Sequence, residues 1–124
     1  MTVLLVAFAL ASGPAEPGHC QTDRCRRHML TRAHADAHKR TVAGWKNVVR
    51  PYRGWLRRTR MCESGGNYAT NTGNGFFGAY QFTLSSWRAV GGFGMPHNAS
   101  PLEQDYRAVR LLKVQGRGAW PVCG

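Results

Sequence analysis

Residues 61–82 read MCESGGNYATNTGNGFFGAYQF. One carboxylate, Glu63, follows Cys62 at the point where a basic segment, PYRGWLRRTRMCE (51–63), runs into a turn dense in glycine and asparagine. The apolar positions Tyr52, Trp55, Leu56 and Cys62 fall mostly at three- and four-residue spacings, which predicts a helix. Glu63 stands seven residues after Leu56 and four after Thr59, so it projects on nearly the same face. The pattern therefore puts an acid at a helix end on the side facing the core. Burial disfavours the charged form and raises a carboxyl pKa. An acid that keeps its proton near neutral pH is suited to general acid catalysis. Position alone is a thin argument, because a Glu at a helix end is ordinarily solvated or paired. Arg57, Arg58 and Arg60 are all near in sequence.

The surrounding pattern is more specific. Cys62-Glu63-Ser64-Gly65-Gly66-Asn67 is followed by Asn71-Thr72-Gly73-Asn74-Gly75 and by Gly78-Ala79-Tyr80-Gln81-Phe82. Ser86-Trp87, Gly91-Gly92, Gln115-Gly116 and Trp120-Pro121-Val122-Cys123 complete the series in order. From about Tyr52 to Gly124 the chain resembles the catalytic domain of the resuscitation-promoting factors, a transglycosylase-like family. A Glu-Ser followed by Gly-x-x-Gln is also shared with lysozyme-like lytic transglycosylases. The resemblance implies an α+β but mainly helical, compact lysozyme-like domain with a small hairpin or irregular β element, preceded by a basic helical tail. It also implies a Cys62–Cys123 disulfide, which would fix the backbone beside Glu63.

Composition sets the frame. The chain has 124 residues and a formal net charge of +11, enough for one domain and a tail. Residues 16–51 carry eight basic and three acidic residues, and residues 52–124 carry nine and three. Such a surface attracts polyanions, and charge by itself does not choose between nucleic acid and anionic cell-wall polymer. No stretch is long enough to span a bilayer. The opening MTVLLVAFALA is apolar and ends in the A-x-A pattern Ala9-Leu10-Ala11, followed by the Pro-rich SGPAEPG. This predicts a signal peptide and linker over 1–18, although a positively charged start is missing. In an exported chain cysteines favour disulfides, and Cys20 is expected to bridge Cys25.

Residues 19–50 form a basic segment, with a helix predicted over roughly 24–42 that either packs through Met29, Leu30 and Trp45 alone or is loosely ordered. Cys20, Cys25, His34 and His38 are zinc-ligand types, but eight residues separate Cys25 from His34 where a finger has about twelve. No metal and no cofactor is expected. The third segment, 51–124, is the transglycosylase-like domain. Pro51 suits the first turn of the helix leading to Glu63, and Gly65-Gly66 should end it. NYATNTGNG (67–75) should form the loop floor of a cleft. FFGAYQF (76–82) reads as a small hairpin or irregular turn. Thr83 is a cap for a helix through Trp87, closed by Gly91-Gly92. Ser100-Pro101-Leu102-Glu103 is a helix start, with Leu102, Tyr106, Val109 and Leu112 expected on its packed face.

Glycosidases normally flank the scissile bond with two carboxylates. The domain holds only Glu63, Glu103 and Asp105, and the latter two fall in the first turn of a capped helix, where solvent exposure is expected. The resemblance implies a chemistry needing one carboxylate: lytic cleavage of the β-1,4 bond between N-acetylmuramic acid and N-acetylglucosamine, with hydrolysis left open. Glu63 would be the catalytic acid and base. Position by position, the resemblance carries Gln81, Ser86, Gln115, Asn67 and Tyr80 as substrate contacts. Tyr68 and Phe76 depart from the aromatic residues common there. Trp87 and Trp120 read first as core. The implied setting is secreted or cell-wall associated. The partners would be peptidoglycan strands, anionic wall polymers held by the basic surface and a peptidoglycan endopeptidase, with no nucleic acid. The competing readings are a non-catalytic wall-binding or signalling module on the same fold and, behind it, a basic nucleic-acid binder using the Cys/His segment.

Overall fold

The computed structural model describes residues 22–124. The predicted signal peptide and Cys20 lie outside the described residues. Cys25 is disulfide-bonded, which removes its thiolate from any metal site, and His34 and His38 are exposed.

Packing separates a first unit ending at Asp36 from a second unit, Ala37–Gly124. Helix α1 (Asp23–Val49) is longer than the predicted 24–42. Its last turns carry the apolar face that the sequence reading ended too soon: Trp45 is half-buried and stacks on Tyr106 at 5.2 Å, and Val49 is buried. Gly44 lies inside it without interrupting it, at a cost of about 1 kcal/mol relative to alanine. Met29 and Leu30, expected as packing residues, are exposed. A 3₁₀ turn, Arg50–Tyr52, holds Pro51 and separates α1 from α2 (Arg53–Ser64).

Helix α2 buries Trp55, Leu56 and Thr59, an i, i+1, i+4 stripe. It ends in a left-handed glycine cap: Gly65, at φ 65°, donates its N–H to Met61 O, and Gly66 N–H reaches back to Arg60 O. Residues 67–75 form an exposed loop built on Asx turns, with Ala69 N–H donating to Asn67 Oδ1 and Phe76 N–H to Asn74 Oδ1. Strand structure is minimal. Phe77 and Phe82 exchange both backbone hydrogen bonds at 2.9 Å, making one isolated antiparallel bridge, and Asn71 bridges Phe77. The irregular β element is thus a tight loop that turns Ala79 and Tyr80 into the core.

Helix α3 (Leu84–Ala89) starts with Thr83 Oγ1 accepting from Ser86 N–H. Helix α4 (Pro101–Gln115) starts with Ser100 Oγ accepting from Glu103 N–H. The packed face of α4 is rotated from the expected one: Gln104, Ala108, Val109 and Leu111 are buried, while Leu102, Tyr106 and Leu112 flank them half-buried. The reason is Gln104, a polar residue that the hydrophobic pattern discounts. Its Oε1 accepts from Ala79 N–H, and its Nε2 donates to Tyr68 O and Ala99 O. Both amide hydrogens and one lone pair of the amide oxygen are used, so its burial leaves neither polar atom an orphan. Gly78 is required beneath it. A Cβ there would come within 2.4 Å of Gln104 Oε1, at a φ of +75°.

The core of the second unit joins Trp55, Leu56, Tyr80, Phe82, Trp87 and Trp120, with edge-to-face contacts such as Phe82–Trp87 at 5.1 Å and Trp55–Trp120 at 5.1 Å. Trp87 and Trp120 are core residues, as the sequence suggests. Cys62 and Cys123 form a disulfide across 61 positions, and Thr59 Oγ1 donates to Cys123 O beside it. Closing so long a loop contributes about 4 kcal/mol in the chain-entropy picture. The domain is mainly helical.

Candidate active site

Glu63 occupies the last turn of α2, one residue after the disulfide-bonded Cys62 and two before the Gly65 cap. Its side chain is half-buried in a pocket of about 220 Å³ walled by Phe76, Gln81, Ala119, Trp120 and Pro121. Among the described residues no side chain or backbone group hydrogen-bonds or ion-pairs with its carboxylate. The three nearby arginines do not serve as its partners. Arg60 turns instead to the Tyr80 hydroxyl and lies 5.9 Å over the Tyr68 ring. Burial, with nothing opposing it, pushes the Glu63 carboxyl above its ordinary range.

A second pocket of about 150 Å³ shares Phe76, Gln81, Ala119 and Trp120 with the first and adds Thr83, Ser86 and Gln115. The shared walls make one cleft, with Glu63 toward one end and Ser86 and Gln115 toward the other. Gln81 stands at the junction with φ 51°, the one non-glycine residue with positive φ among those described. Its Nε2 donates to Gly78 O, closing its own turn. A residue held in so uncommon a conformation marks a place where the fold over-determines the backbone. Ser86 Oγ accepts from Thr83 Oγ1 and donates to Thr83 O, so its hydroxyl is part of the α3 cap as well as the cleft wall. Gln115 is exposed at the end of α4.

One of the expected contacts is placed elsewhere. Asn67 lines neither pocket, its side chain being spent on the turn at Ala69. Tyr80 borders the second pocket from within the core, buried and with its hydroxyl donating to Asp105. The loop 67–75 is likewise not the cleft floor: none of its residues lines the two pockets, and the residue that follows it, Phe76, 44% exposed, does.

Asp105 corrects a second expectation. It is half-buried rather than solvated, and its Oδ1 accepts from both Tyr68 and Tyr80 hydroxyls. Burial first, and then the bond to the Asp105 carboxylate, raise the Tyr68 phenol to about 12, and the same causes push Tyr80 up further. Glu103 serves the helix itself, its carboxylate pairing with Arg107 at 3.2 Å. Neither acid lines the cleft, so Glu63 is its one carboxylate among the described residues. Gln104 and Asp105 are the residues that sequence reasoning missed as supports. The signal available was their place on the fourth and fifth residues of a capped helix, where α4 turns inward.

The chain matches the transglycosylase-like domain family over residues 54–123. It is 61% identical over 66 residues to resuscitation-promoting factor Rpf of Micrococcus luteus, a match covering 53% of this chain and 30% of that protein. It is 56% identical over 64 residues to resuscitation-promoting factor RpfE of Mycobacterium tuberculosis, covering 52% and 37%. With RpfA of the same species it shares 42% over 93 residues, covering 73% and 20%. The chain thus spans well under half the length of these curated relatives. The family match runs from Gly54 to Cys123 and contains the whole cleft with its disulfide. The chain belongs to the transglycosylase-like domain family, as a member of the resuscitation-promoting factors.

Proposed function

We propose that the domain cleaves the β-1,4 bond between N-acetylmuramic acid and N-acetylglucosamine in peptidoglycan, with Glu63 as the single acid and base, in a protein exported to the cell wall. The observation that carries this reading is the state of Glu63 among the described residues: half-buried, without a partner, raised in pKa, and alone among carboxylates in its cleft. In the first step Glu63 gives its proton to the glycosidic oxygen as the C1–O bond breaks, and charge spreads over the sugar ring. The resulting carboxylate then removes the proton from the muramic 6-hydroxyl, whose oxygen closes on C1. Atoms balance without water, and Glu63 is left protonated for the next cycle. With water in place of the 6-hydroxyl the same residue would complete a hydrolysis.

The neighbours divide the remaining work. Gln81 Nε2 is committed to Gly78 O, which leaves its Oε1 to accept from a sugar hydroxyl. Phe76 and Ala119 give the cleft an apolar wall for a sugar face, and Ser86 and Gln115 extend the polar contacts along the strand. The disulfide keeps the Glu63 backbone in place while the strand binds.

Mass spectrometry of products from purified peptidoglycan tests the proposal. Wild type should release anhydro-muropeptides, and Glu63→Gln, which keeps shape but lacks a transferable proton, should release none. Reducing-end products that vanish in the variant would assign water as the nucleophile. Absence of any cleavage by the oxidised wild type on several walls would instead make the domain a wall-binding module.

A further inference from the structure

A concavity of about 770 Å³, larger than the Glu63 pocket, lies where the end of α1, the 3₁₀ turn and α2 meet the start of α4. It shares no lining residue with either part of the cleft. Five cations line it: Lys46, Arg50, Arg53, Arg57 and Arg60. Arg53, Arg57 and Arg60 stand four and three residues apart on one face of α2, and Lys46 from the end of α1 and Arg50 from the 3₁₀ turn join them in the lining. Asp105 is the one acid in the lining, and two phenol hydroxyls already bond its carboxylate. Among the described residues Glu103–Arg107 is the only salt bridge, and Lys46, Arg50, Arg53 and Arg57 make no side-chain hydrogen bond.

Like charges three and four residues apart repel and cost stability. Arg60 is tied to the Tyr80 hydroxyl and the Tyr68 ring. The other four, around one groove and without a salt bridge or side-chain hydrogen bond among the described residues, are an electrostatic feature with no evident role in holding this fold together. Arginine forks match the paired oxygens of phosphate groups. What else lines the groove narrows the ligand. It has no aromatic side chain, whereas single-stranded nucleic acid is held by stacking its bases on aromatic rings. None of the exposed large apolar side chains borders it, and a concave site without them does not enter a lipid interface.

We propose that this groove binds a phosphodiester-linked, base-free anionic polymer of the kind attached to cell walls. Resting on the peptidoglycan reading above, the groove would hold the enzyme on the wall while Glu63 acts in a separate cleft.

The test is titration of the oxidised full chain with poly(glycerol phosphate), followed by fluorescence anisotropy, at several salt concentrations. Wild type should bind, with affinity falling as salt rises. Arg53→Gln with Arg57→Gln should raise Kd at least about tenfold. Arg53→Lys with Arg57→Lys, which keeps charge but not the fork, should fall between. Arg88→Gln with Arg110→Gln removes the same charge from exposed positions outside the groove and should change Kd by less than about twofold. Equal weakening by both glutamine pairs would overturn the site, leaving only net charge. Tighter binding of a length-matched oligothymidylate, or of phosphatidylglycerol vesicles, would overturn the assignment of the ligand. Peptidoglycan cleavage measured alongside separates the two readings. Cleavage without polymer binding overturns the groove alone, and polymer binding without cleavage supports the groove and overturns the enzymatic reading.

Discussion

Glu63 and Asp105 are both half-buried carboxylates on helices of one small domain, yet their surroundings are opposite. Asp105 receives two phenol hydroxyls and lies near Arg60, which bonds the same Tyr80 hydroxyl. Glu63 receives nothing from the described residues, and its walls are largely apolar. Burial with donors turns a carboxylate into a structural anchor, because its charge is compensated where it sits. Burial without donors makes ionisation costly and leaves a proton that a substrate can take. Two acids alike in exposure class are thus sorted by what surrounds them.

Removing each acid should sharpen the contrast. Glu63→Gln is expected to lower the cleavage rate by about a thousandfold or more, the scale of general acid loss. Its thermal midpoint at neutral pH should equal or exceed that of wild type, since a poorly solvated charge disappears. The sign follows from linkage. A folded-state pKa raised above the unfolded value contributes stability below the unfolded pKa, and that contribution is lost as pH rises through the folded one. A melting curve showing clear destabilisation would break the comparison at its root.

Reduction of Cys62–Cys123, or its replacement by two alanines, should cost about 4 kcal/mol, read as a shift in the denaturation midpoint. If the bridge also sets the position of the acid, activity per folded molecule should fall with it. Gln104→Leu keeps volume but strands Ala79 N–H, Tyr68 O and Ala99 O. Chemical denaturation should show a loss of about 2–4 kcal/mol. Asp105→Asn keeps an acceptor for the phenols but removes the charge, so about 1–2 kcal/mol should be lost. The folded fraction should retain far more activity than Glu63→Gln. An Asp105 variant as inactive as Glu63→Gln would mean that the anchor takes part in the chemistry.

Much of this arrangement was legible in the sequence. Local signals stated themselves: Gly65-Gly66 as a helix stop, Thr83 and Ser100 as caps, and the face shared by Leu56, Thr59 and Glu63. Motif order supplied the fold and the Cys62–Cys123 bridge. What stayed hidden was polar burial. Hydrophobic periodicity has no means of placing Gln104 in a core, because two of its three backbone partners, Ala79 and Tyr68, are brought from distant segments. The same applies to Asp105, whose two phenol donors are 37 and 25 residues away, and to Tyr80, which borders the cleft as its place in the motif suggested while its hydroxyl bonds that acid. The end of α1 was missed for a related reason: Trp45 has its ring partner on α4, at Tyr106.

The pKa of Glu63 itself is the most direct test. The chain contains three glutamates, Glu16, Glu63 and Glu103, so selective carbon-13 labelling of glutamate carboxyls gives few signals, and Glu63→Gln assigns the one that matters. Titrated alongside the pH dependence of cleavage, Glu63 should ionise above the ordinary glutamate value of about 4.3. The fall in kcat/KM on the alkaline side should track that ionisation. A Glu63 carboxyl that titrates at or below the ordinary value, with cleavage unaffected by its ionisation, would contradict the account.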